Sequence, residues 1–167
     1  MTILLYLLTI VAANAAITLV GPVPVGFGLV APAGVYFAGL AFSLRDAVRE
    51  RHGVRWTLAA IVAGAALSAL LSPALALASG VAFLLSELAD GAVYEPLRRR
   101  SWLAAVTLSN SVGLLVDSAL FLWLAFGSLA FLPGQIVGKL WVTALAVVLI
   151  AAWRRSQSTE DGYESHR

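Results

Sequence analysis

Six apolar stretches, each about 16–24 residues long, dominate this chain, and a bilayer-spanning helix needs about 20. They run roughly 2–20, 28–50, 56–71, 74–97, 102–126 and 131–153. Arginine collects in alternate connections only. Arg45, Arg49, Arg51 and Arg55 cluster around the junction of segments two and three. Arg98, Arg99 and Arg100 separate four and five, and Arg154 and Arg155 follow six. The other three connections carry no charge. Positive charge favours the cytoplasmic side, so the pattern predicts an all-α polytopic membrane protein with six transmembrane helices and both termini inside. The expected organisation is a transport domain over 1–153 and a polar cytoplasmic tail over 154–167.

Composition narrows the chemistry. The 167 residues are 60% hydrophobic and 12% charged, against about 25% charged in soluble domains. The net charge of +2 sits in short inter-helix clusters, which argues against a nucleic-acid partner. Cysteine is absent, which excludes disulfides, thiolate nucleophiles and cysteine-based metal sites. The two histidines, His52 and His166, fall in a loop and the tail. No G-x-S-x-G, H-E-x-x-H or GxxxxGK[ST] motif occurs, so neither an intramembrane enzyme nor a self-powered ATPase is expected. No cofactor or metal is implied.

Within the spans, polar residues stand out by their cost. The run Phe83–Arg100, FLLSELADGAVYEPLRRR, carries Glu87 and Asp90 at i and i+3, one helix face. A charge deep in a bilayer costs from about 3 to over 10 kcal/mol, so both must face protein or water. Segment five repeats the device with Asn110, Gly113 and Asp117. Segment six places Gln135, Lys139 and Thr143 a turn apart, and Lys139 is the only lysine. Segment one holds Asn14, which reads equally as helix–helix glue or as part of a site. In segment two, Tyr36, Gly39, Ser43, Asp46 and Glu50 share a stripe. Arg45, Arg49 and His52 line another, read as a solvated helix end with local ion pairs. Segment three, rich in Ala with Gly64 and Ser68, is assigned to packing. Gly21–Pro24 and Ser72–Pro73 read as uncharged turns.

Glu87, Asp90, Asp117 and Lys139 are expected to line one water-accessible cavity between helices one, four, five and six, with Asn14 at similar outer depth. Three acids against one lysine suit two jobs: binding a donor-rich or cationic ligand, or carrying a proton on a desolvated carboxyl. The residues leave both open, alongside a Lys139–Asp117 pair that only fixes packing.

These motifs resemble the queuosine-precursor transporters, also called vitamin uptake transporters, of bacterial inner membranes. Their D-x-x-x-E-x-[YF]-G signature is similar to Asp46–Gly53, with His52 where an aromatic is usual. Glu87–Tyr94 resembles their [EQ]-x-x-D-x-x-[VI]-[FY] element, and Ser109–Phe121 their S-x-x-x-G-x-x-x-D-[ST]-x-x-F element. Asn14 and Lys139 match an early Asn and a late Lys. The resemblance covers about residues 10–150. It implies import of 7-cyano-7-deazaguanine and 7-aminomethyl-7-deazaguanine for queuosine salvage, driven by a gradient or by trapping. Glu87 or Asp90 would take the N1–H and 2-amino edge, Asn14 or Asn110 the carbonyl edge, and Tyr36, Tyr94 or Phe121 would stack on the ring. The partners implied are a 7-deazaguanine base and membrane lipid, with a homo-oligomer left open. The alternative is a substrate-binding membrane subunit of an energy-coupling-factor importer.

Overall fold

The computed structural model describes residues 1–146 and 148. The chain order is α1 (Thr2–Val20), β1 (Pro22–Gly26), β2 (Leu29–Pro32), α2 (Val35–His52), α3 (Val54–Ser68), α4 (Pro73–Leu97) and α5 (Trp102–Phe126). A sixth helix, α6, covers 132–146 of the described residues. The last part of segment six and the 154–167 tail lie outside them. Among the described residues, three helices, α1, α4 and α5, are long and apolar enough to cross a membrane. The protein is therefore helical and multi-pass.

Local chemistry sets the helix ends. Ser72 accepts from the Leu75 N–H with Pro73 opening α4, and Ser101 accepts from the Ala104 N–H to open α5. Gly53, at φ 82°, makes the sharp break between α2 and α3. Helices α4 and α5 pack closely and antiparallel, joined by Ala78, Ala82, Phe121 and Leu122. A second core of Tyr6, Ile10, Phe42, Ile61 and Phe83 ties α1 to α2, α3 and α4. Gly64 makes α3 fit α1: a Cβ there would lie 2.8 Å from Ile10. Small residues in segment three thus serve packing, as their pattern predicts.

One element departs from expectation. Segment two does not begin its helix at Gly28. Residues 22–32 form an antiparallel hairpin, and α2 starts at Val35. The turn residues Phe27 and Gly28 both have positive φ, 54° and 71°, as a tight two-residue hairpin turn requires. Strands of five and four residues bearing three prolines carry little strand signal, so the stretch reads as turn and helix start. Those prolines have a second use. Pro22, Pro24 and Pro32 lack N–H groups, so fewer donors need partners away from water. The carbonyls of Pro24 and Val25 accept from the Tyr36 hydroxyl at 3.0 Å and the Trp141 indole at 3.2 Å.

The hairpin lies along the first turns of α6. Gly134 meets Val30, Gly138 meets Val25 and Val35, and the Phe27 ring stacks on Trp141 at 6.2 Å. From Gly134 to Trp141 is about two helical turns. A Cβ on Gly134 would sit 2.1 Å from the Val30 carbonyl oxygen. We predict that Gly134→Ala destabilises the protein by about 1–3 kcal/mol through this overlap. An unchanged unfolding temperature in detergent would show that the hairpin does not depend on the notch.

Candidate functional site

The centre of the molecule is built from arginines meeting acids. Arg45 and Arg49 sit one turn apart on α2 and so face the same way, toward α4. Arg45 is fully buried. Its Nη2 lies 2.8 Å from Asp46 Oδ1 and 3.3 Å from Asn110 Oδ1, and its Nε 3.3 Å from Glu87 Oε2. The guanidinium also stacks over Phe42, 4.7 Å from the ring centre. Arg49 Nη1 lies 3.0 Å from Glu87 Oε1 and 2.8 Å from Asp90 Oδ2. The expectation of a solvated arginine stripe is thus corrected. These two cations are turned inward because Glu87 and Asp90 are buried and need countercharge.

Glu87 is therefore held between two arginines, at ion-pair distance from both. Asp90 keeps Oδ1 without a hydrogen-bond donor among the described residues. Asp90 borders a hollow of about 410 Å³ where α2 and α4 end and α5 begins. Asp46, Tyr94 and Asn110 line it too, so four expected site residues meet there. Arg49 and Trp102 complete its polar and aromatic walls. That volume is in the range of small-molecule sites.

A second hollow, about 140 Å³, shares Asp46 and Asn110 with the first and reaches Lys139. A third, about 20 Å³, shares Lys139 with the second. Asn14, Asp117, Phe121 and Gln135 line it, and it has room for about one water. Lys139 bonds Asp117 and, at 2.9 Å, Ser118 Oγ. Asn14 Nδ2 donates to Ser79 Oγ at 3.0 Å, bridging α1 to α4. The single expected cavity is thus three neighbouring hollows, with Asp46 and Asn110 shared by the first two and Lys139 by the last two.

The grouping differs from expectation in two further ways. Tyr36 and Glu87 line none of these three hollows: Tyr36 spends its hydroxyl on the hairpin, and Glu87 is enclosed by Arg45 and Arg49. The balance of charge is also closer than three acids against one lysine. Asp46, Glu87, Asp90 and Asp117 face Arg45, Arg49 and Lys139. Arg45, Arg49, Trp102, Ser79 and Gln135 are the positions that sequence reasoning left out of the site. The i, i+4 spacing of the two arginines was a usable signal, because it puts two cations on one helix face as surely as i, i+3 does two carboxylates.

No curated protein and no solved structure gives a significant match to the chain. A family described as "Putative vitamin uptake transporter" matches residues 68–153, from the end of α3 through α4, α5 and α6. That stretch is just over half of the chain and includes Glu87, Asp90, Asn110, Asp117 and Lys139. Polar groups from separate helices line neighbouring hollows in an apolar helical body, and the chain belongs to the vitamin uptake transporter family.

Proposed function

We propose that this protein imports queuosine precursors, 7-cyano-7-deazaguanine or 7-aminomethyl-7-deazaguanine, across the bacterial inner membrane as a secondary transporter. All six helices span, with both termini in the cytoplasm. The arginine-bearing connections face inward, and the hairpin end faces out. The observation that carries the reading is the 410 Å³ hollow, where the Asp90 carboxylate stands among Asn110, Tyr94 and Trp102. A 7-deazaguanine presents what such a site takes: an N–H edge for the carboxylate, an acceptor edge for the amide and a flat ring for aromatic stacking. Glu87 sets the position of Arg49, and Arg49 sets that of Asp90. Four carboxylates, Asp46, Glu50, Asp90 and Asp117, line the hollows against two cations, Arg49 and Lys139, which leaves an acid to carry a proton or to meet an aminomethyl cation.

The test is uptake of labelled 7-cyano-7-deazaguanine into liposomes containing only this chain and no ATP. Accumulation that follows an imposed proton gradient, or internal trapping, is the expected result. Uptake only after an ATPase module is added would favour a substrate-binding subunit of an energy-coupling-factor importer. In the same assay Asp90→Asn is predicted to reduce uptake at least about tenfold, since it removes a negative charge from the wall of the hollow and from beside Arg49. Uptake equal to the parent chain's would remove Asp90 from the site.

A further inference from the structure

The smallest of the three hollows has its own chemistry. Asn14 and Gln135 line it and are 1% and 2% exposed. Asn14 turns its Nδ2 to Ser79 Oγ and the Ile10 carbonyl, which fixes its Oδ1 as an acceptor. Neither that oxygen nor Gln135 Oε1 has a donor among the described residues. Buried amide oxygens are normally paired, so two unpaired ones in one small space call for an explanation. Lys139 adds the opposite capacity. Its ammonium has three N–H groups, and Asp117 and Ser118 account for two. Two unpaired amide acceptors and the Lys139 ammonium therefore line the hollow together with Phe83 and Phe121.

We infer that this hollow is a second, outer binding station for a 2-amino-4-oxopyrimidine edge. The amide oxygens of Asn14 and Gln135 accept from the ring N–H and the exocyclic amino group. Lys139 donates to the ring carbonyl. The chemistry is shared by guanine, deazaguanines and pterins, and the inference rests on the importer reading above. At about 20 Å³ the station is closed. Its walls come from α1, α2, α4, α5 and α6, and a base enters when those helices part. Gln135 is then the residue that selects the amino group before the ligand reaches the larger hollows.

The station is tested with 7-deazaguanine and 7-deazahypoxanthine, which differ in the 2-amino group, as competing probes for liposome uptake. The parent chain is expected to prefer 7-deazaguanine by about tenfold or more, because an unpaired buried acceptor penalises the analogue that lacks the donor. Gln135→Met should bring the two probes near parity while the purified variant keeps the parent's unfolding temperature. If Gln135→Met does not fold, Gln135→Ala removes the same acceptor with less steric demand. A preference as large in the variant as in the parent would overturn the outer station and leave the importer reading standing. Uptake of neither probe by the parent chain would overturn both.

Discussion

Arg45→Met should lower the stability of the protein by about 3–5 kcal/mol, the cost of leaving a buried acid without its cation. Arg45 is the largest fully buried side chain among the described residues, and it holds Glu87, Asp46 and Asn110 in one fork. Methionine fills a similar volume over Phe42, so the loss isolates the charge from the packing. Asp46, with its side chain half exposed, can turn to water, but Glu87 cannot. Arg49 remains beside Glu87, so Arg45→Met/Glu87→Met should recover most of the loss and leave Arg49 to Asp90. Denaturant unfolding in detergent reads both. A single variant within about 1 kcal/mol of the parent would mean that Glu87 is satisfied without Arg45.

Lys139→Met is expected to be as damaging, for the same reason at a different place. It strands Asp117, which is 3% exposed and turned toward α6. Here the rescue separates structure from transport. Lys139→Met/Asp117→Asn restores neutrality, so the fold should return to near the parent's stability. Uptake should not return, because Lys139 borders two of the hollows and its ammonium is the donor between them. Stability and uptake recovering together in the double variant would make the pair a packing device only.

These effects bear on how much of the molecule is written plainly in its chain. The helices of segments one, four and five follow from apolar length and capping residues, and Ser72-Pro73 and Ser101 mark two starts by local chemistry. The acids at 87, 90 and 117 were legible because charge inside an apolar run has few explanations. The arginines were not. Arg45 lies near the end of its segment, where a cation usually reaches water, and only the packing of α2 against α4 turns it inward. The hairpin was hidden for another reason. Its stability comes from contacts with α6, through glycines at 134 and 138, more than 100 positions away along the chain. Its own residues, rich in proline and glycine, say only that the chain turns. The division into three hollows was equally invisible. Helix faces place Asp117 and Asp90 on one side of α4 and α5, but side-chain bonds such as Arg45 to Asn110 decide where one hollow ends.

The central claim is that the hollow lined by Asp46, Asp90, Tyr94 and Asn110 takes a base. Thermal unfolding of the purified protein with 7-cyano-7-deazaguanine, guanine and pterins tests it most directly, because a bound ligand stabilises the native state by mass action. The account predicts stabilisation by the deazaguanine in the parent chain and its loss in Asp90→Asn. Equal stabilisation of both, or stabilisation by none of the ring compounds, would contradict it.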